Sequence, residues 1–174
     1  MIYSAAVQAR RPIGAPRPRG YYLVAAIDLR DELTRLRRLP VFATGPLAAA
    51  EPELKVRRAS RIPNRLGFAV PDQFRISVTA YPGIRQGDPL ETLLHELVHL
   101  HVGRQPGGHA WHGRMFKQTL RQAMHEAYGI GELRPPSARH GVYAAAIEAQ
   151  LAADGGQLRL LPAAETEPRM ADTG

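Results

Sequence analysis

A chain of 174 residues with 44% hydrophobic and 22% charged side chains can bury one real core, as a single domain with tails. It has no cysteine, which excludes a disulfide framework and any thiolate metal site, and no apolar run of roughly 18 residues, which excludes a membrane-spanning helix. The formal charge of +7 is uneven: residues 1–65 carry 13 basic and 5 acidic side chains, residues 66–145 carry 8 and 6, and residues 146–174 carry 2 and 5.

The N-terminus, Met1 to Arg10, lacks the apolar run of a secretory signal, so a cytoplasmic location is expected. Residues 1–20 read as a flexible, basic, Pro/Arg-rich arm. The main domain is expected over 21–135. Asp28 to Leu39 has helical spacing, with Leu29, Leu33 and Leu36 on one side and Pro40 ending it. Residues 41–53 form a Gly/Pro/Ala-rich connection.

Three short strands are expected next, Leu54–Ala59, Leu66–Val70 and Phe74–Thr79. The last alternates Phe74, Ile76 and Val78 with Arg75, Ser77 and Thr79. Asn64 and Pro71-Asp72 are turn signals, so the spacing predicts an antiparallel meander. This stretch also carries the densest basic cluster, Lys55, Arg57, Arg58, Arg61 and Arg65, with no acid among them. Such a cluster fits a polyanion such as DNA, and equally a solvated surface in a chain where arginine outnumbers lysine 21 to 2.

The most informative stretch follows. His95-Glu96-Leu97-Val98-His99 is an H-E-x-x-H motif. On a helix, His95 and His99 lie one turn apart on one face, where two imidazoles can share a metal ion. Glu96 sits about 100° further round, within reach of water at that metal. Asp88-Pro89-Leu90-Glu91 reads as the helix start, with Asp88 as cap, Pro89 at the first position and Glu91 closing a capping box. Leu93, Leu97 and Leu100 supply an apolar face, and Gly103 is a natural stop.

A catalytic zinc takes three protein ligands and keeps one open position. His112 is the leading third ligand, since Gly113 leaves space beside it and Phe116 can anchor the helix one turn on. His109 and Glu126 are the competing candidates. The metzincin spacing is excluded, because Val102 and Gln105 stand where glycine and histidine would be needed. His101 points away from the His95/His99 face, and His125 and His140 read as surface residues. Six of the seven histidines fall between positions 95 and 125, which an incidental surface helix does not explain.

A second helix is expected from His112 to Tyr128, with Phe116, Leu120, Ala123 and Ala127 inward and Gly129 as its stop. Pro135-Pro136 closes the domain. Residues 136–174 form an extension, with a short helix over 142–153 and then a loose tail after Gly155-Gly156.

This order resembles the SprT-like zinc metalloprotease domain. The matching residues are Phe74-Arg75-Ile76-Ser77, Leu94 through His99, and Gly108-His109-Ala110-Trp111-His112-Gly113-Arg114-Met115-Phe116. The resemblance covers about residues 28–130 and is specific in the two histidine motifs. It implies an α+β, zincin-type fold, with a short antiparallel sheet packed on an N-terminal helix, the H-E-x-x-H helix and a following helix. It further implies one zinc ion per chain, held by His95, His99 and His112, with Glu96 as general base. Members of the family include proteases acting on DNA-bound proteins. This chain lacks the C-terminal zinc ribbon that many members carry.

The expected function is therefore a zinc-dependent endopeptidase that hydrolyses peptide bonds with a zinc-activated water. Protein or peptide is the substrate, and the basic patch makes DNA-associated proteins candidate targets. The oxyanion could be met by Tyr128, His109 or Arg114, among which the sequence does not choose. The alternative is a non-proteolytic, nucleic-acid-associated or scaffold protein that retains the zinc fold. A monomer without membrane attachment is expected in either case.

Overall fold

The computed structural model describes residues 17–58, 66–106, 111–130 and 141–155. Arg61, Arg65, His109, His140, Pro135-Pro136 and the outer parts of the arm and tail lie outside the described residues. At the end of the arm Arg17 donates to Glu53 at 3.2 Å and lies 5.0 Å over the ring of Tyr21.

A two-stranded antiparallel ribbon opens the domain, β1 (Leu23–Val24) and β2 (Ile27–Asp28). Asp28 then caps α1 (Leu29–Leu36), its carboxylate accepting from the Arg30 and Asp31 amides. The helix ends three residues before the expected Leu39. Pro40 forces Leu39 into extended geometry (φ −60°, ψ 141°), and the intervening amides of Arg38 and Leu39 make tighter i→i+3 bonds. A 3-10 turn (Pro40–Phe42) and the single-turn α2 (Pro46–Ala49) complete the connection.

Three strands follow, β3 (Glu53–Arg58), β4 (Gly67–Val70) and β5 (Arg75–Ala80). Their order is β3-β5-β4, with β3 parallel and β4 antiparallel to β5, so the expected antiparallel meander is incorrect. The pattern of burial explains the arrangement. All of Ile76–Ala80 is buried, Ser77 and Thr79 included, and a strand covered on both faces belongs in the centre. Leu54 and Val56 of β3 stand opposite Ile76 and Val78 and share their face. β4 offers only Gly67 and Ala69 to that face, which suits an edge that a helix approaches closely.

The helix carrying H-E-x-x-H, α3 (Gly87–Val102), is the centre of the molecule. It touches β4, β5, α1, α2, α4 (Arg114–Tyr128) and α5 (Gly141–Ala153). Leu90, Leu93, Leu94, Leu97 and Val98 are fully buried, each contributing about 1.5–3 kcal/mol. The apolar surface therefore runs well beyond the Leu93/Leu97/Leu100 stripe read from the sequence.

The expected capping box at the start of α3 does not form. The N-cap is Gln86, with no side-chain cap; Asp88 instead accepts from Tyr81 and Arg85, and Glu91 reaches α5 to accept from the Ala144 amide at 2.8 Å. Glu148 of α5 answers by accepting from the Gly87 amide, so each helix supplies a carboxylate to the other's first turn. Tyr143, Ile147 and Leu151 carry α5 into the core. Gly103 (φ 67°) and Gly129 (φ 65°) end α3 and α4 where the sequence places them. The architecture is α+β. No helix among the described residues is long and apolar enough to cross a membrane.

Candidate metal and catalytic site

His95 and His99 project from the second half of α3, His99 from its last turn, and His112 stands in the turn that leads into α4. The structure brings these three together. Their Nε2 atoms lie 3.2 Å (His95–His99), 3.3 Å (His95–His112) and 3.1 Å (His99–His112) apart. Nitrogen ligands at ~2.0–2.1 Å from a tetrahedral zinc are themselves ~3.3–3.4 Å apart, so the triangle has the right size for one small cation.

The protonation chemistry points the same way. A contact between two neutral imidazole nitrogens needs an N–H on one and a lone pair on the other. Two roles cannot alternate around a triangle, so every choice of tautomer leaves at least one pair of like groups facing each other. A cation that meets three inward lone pairs removes the conflict. His95, His99 and His112 are thus close enough to hold a metal ion, and imidazole donors suit zinc, copper, iron or nickel.

Phe116 is the floor of the site. Its buried ring packs on all three imidazoles, with centroids 4.9 Å from His95, 4.4 Å from His99 and 4.8 Å from His112. Gly113, in ordinary extended geometry, is the N-cap of α4 and joins His112 to the turn that carries Phe116. Trp111 meets the His99 ring edge-on at 5.9 Å. Trp111 is also one of the three large hydrophobic residues exposed among the described residues, so the site has an apolar edge. Sequence reasoning assigned no role to Trp111, although its place beside His112 was the available signal.

Glu96 is 7% exposed, and its carboxylate lies against β4, where Oε1 is 3.2 Å from the position a Gly67 side chain would take. It is screened from bulk water by an edge strand and follows the first candidate ligand directly.

Other candidates are reassigned by their contacts. Glu126 accepts from the Val41 amide at 2.9 Å and from Gln122 at 2.8 Å, so it braces the Pro40–Phe42 turn. Tyr128 is buried in a separate network. Its hydroxyl donates to Glu32, which Arg35 engages with two nitrogens, and Arg35 also donates to the Ala127 carbonyl. Burial and then the Glu32 charge push the Tyr128 phenol well above its usual pKa. Arg114 is exposed on the first turn of α4. His101 packs edge-on to Phe42 at 5.2 Å, and burial lowers its pKa.

The described members of the basic cluster divide between two faces. Lys55 and Arg57 stand on the outer face of the sheet, where Lys55 lies 3.6 Å from Glu53, while Arg57 donates to Thr79 at 2.8 Å and covers the Phe68 ring. Arg58 turns to the β1–β2 ribbon and donates to the Tyr21 and Leu23 carbonyls. Strand alternation adds Arg75 to the Lys55/Arg57 face.

Comparison with protein-family models, with curated proteins and with solved structures finds no match.

Proposed function

We propose that this chain is a zinc-dependent endopeptidase of the SprT-like kind, with His95, His99 and His112 holding one zinc ion and Glu96 as general base. The observation that carries the reading is the triangle of Nε2 atoms on a rigid aromatic floor, with a buried glutamate one residue after the first of them. Zinc, when bound there, supplies a Lewis acid for water and for the scissile carbonyl. Glu96 takes the proton of the attacking water and returns it to the leaving amine. Burial against β4 limits the positions its carboxylate can adopt and strengthens its interactions with the reacting groups. Phe116 fixes the three rings, so their orientation need not be established during turnover. Trp111 offers apolar surface to substrate side chains next to the scissile bond.

The test is elemental analysis of the purified protein together with hydrolysis of casein or a quenched-fluorescence peptide library. One zinc per chain and measurable cleavage are expected. Glu96→Gln should keep the zinc and reduce hydrolysis by about 10²-fold or more. Cleavage by Glu96→Gln at the wild-type rate would refute the mechanism.

The second reading is a nucleic-acid-associated protein that keeps the metal fold without proteolysis. Lys55, Arg57 and Arg75 beside Phe68 on one sheet face favour it, and Arg61 and Arg65 in the following segment add charge. Binding of DNA by such a face is weak, sequence-independent and steeply salt-dependent. A titration at about 50 mM salt that shows no binding to single- or double-stranded DNA removes it.

A further inference from the structure

Gly67 has ordinary backbone geometry for a strand, so its lack of a side chain is not needed for conformation. It is needed for space. A Cβ built there would lie 2.4 Å from Thr92 Cγ2, 2.9 Å from the Ser77 carbonyl oxygen and 3.2 Å from Glu96 Oε1. These three neighbours differ in what they can yield. The Ser77 oxygen is backbone of the central strand. The Thr92 methyl is held because the Thr92 hydroxyl donates to the Asp88 carbonyl at 2.7 Å, and rotating the methyl away breaks that bond. The Glu96 carboxylate is the end of a flexible side chain. Moving Glu96 eases only the mildest of these contacts; the overlaps with Thr92 and the Ser77 carbonyl require β4 itself to draw back from α3, so a substituent at position 67 displaces the wall on which the Glu96 carboxylate rests.

Thr92 and Glu96 are one helical turn apart on α3, and Gly67 faces them from the edge strand, opposite Val78. The strand backbone thus forms the wall against which the carboxylate rests. We propose that Gly67 is a positioning residue for Glu96: its bare backbone sets the carboxylate's place by shape. The inference rests on the reading of Glu96 as general base. Displacing a reacting group by about 1 Å can reduce a rate by about 10²-fold, so even a methyl group should be felt.

The experiment compares wild type, Gly67→Ala, Glu96→Gln and the Gly67→Ala/Glu96→Gln double variant for zinc content, thermal unfolding, kcat and KM. Gly67→Ala should keep one zinc per chain and lose roughly 10- to 100-fold in kcat with little change in KM. In the Glu96→Gln background the same change should cost nothing further, since the group it acts through is gone. A wild-type kcat for Gly67→Ala, or losses that multiply in the double variant, would overturn the proposal. Should Gly67→Ala fail to fold, Gly67→Ala/Thr92→Ser removes the closest clash, keeps the Asp88 bond and is judged by the same criteria against Thr92→Ser alone. If the wild type binds zinc but cleaves nothing, the endopeptidase reading fails by itself. The positioning claim is then decided by crystal structures of wild type and Gly67→Ala, where an unmoved Glu96 carboxylate overturns it.

Discussion

Replacing Glu32 by glutamine tests a buried ion pair that lies outside the site. Glu32 and Arg35 are i,i+3 neighbours on α1 with side chains 5% and 11% exposed. Arg35 donates Nε to Oε2 at 2.9 Å and a second nitrogen to Oε1, and Tyr128 adds its hydroxyl to Oε1 at 3.2 Å. Burial lowers the Arg35 pKa, but the hydrogen bond and charge of Glu32 outweigh it, so the net shift is upward. Glu32→Gln keeps the volume and leaves a buried guanidinium without its counter-charge, which costs about 3–5 kcal/mol. Tyr128→Phe removes one donor to a charged acceptor and leaves the ion pair, a loss of about 1.5–3 kcal/mol. A domain of this size has about 5–15 kcal/mol in total. Urea unfolding measures both: at a slope of about 2 kcal/mol per M, Glu32→Gln should lower the midpoint by about 2 M with the slope unchanged. Zinc content should be unaffected, because the pair ties α1 to the far end of α4 from His112. A Glu32→Gln loss below about 1 kcal/mol, or one smaller than that of Tyr128→Phe, would refute the account of this network.

Three further outcomes are expected. His112→Ala should strongly lower zinc occupancy while His109→Ala leaves it intact; elemental analysis showing the reverse would move the third ligand to His109. Phe116→Ala should cost about 3–5 kcal/mol in chemical denaturation and weaken zinc binding as well, whereas Phe116→Leu should recover most of the stability but less of the affinity, because only a flat ring can pack on three imidazoles at once. Finally, burial raises the pKa of Tyr128, Tyr143 and Tyr81, with Glu32, Glu91 and Asp88 adding to the respective shifts. A phenol with a raised folded pKa binds its proton more tightly when folded, so the stability is fully present below the unfolded value of about 10 and is lost as pH rises through the folded values. Unfolding free energy should fall above about pH 10, and tyrosinate absorbance should show the Tyr128 phenol ionising only as the chain unfolds; a Tyr128→Phe variant with an unchanged alkaline tyrosinate titration would contradict this.

What the sequence revealed depended on how local each cause was. His95 and His99 are four apart on one helix, and Gly103 and Gly129 take up the left-handed backbone that ends a helix, so short-range geometry was enough. His112 was legible because Gly113 and Phe116 follow it directly. The sheet order was not, because the alternation of Arg75, Ser77 and Thr79 reads as a solvated face. Burial of Ser77 and Thr79 depends on what covers them, and nothing within the strand records it. The capping residues misled for a related reason. Glu91 stands where a capping box would use it, but a partner 53 positions away claims its carboxylate. Glu126 and Tyr128 likewise look available in sequence and are engaged by Val41 and Glu32 in space.

The same distinction between local and distant causes explains how the site is assembled. Two of its histidines and the candidate glutamate lie on α3, the most buried helix among the described residues, where packing from the sheet and from four other helices fixes the backbone. The third histidine lies on an exposed turn and reaches the others only because Phe116, one turn on, is buried against them. The triangle is thus held by apolar contacts on the side away from its open face. Its three nitrogens converge on one point, where a cation would meet three inward lone pairs. A chain that needed these histidines only as surface polar groups would gain nothing from such an arrangement, which is the physical reason to read the cluster as a metal centre.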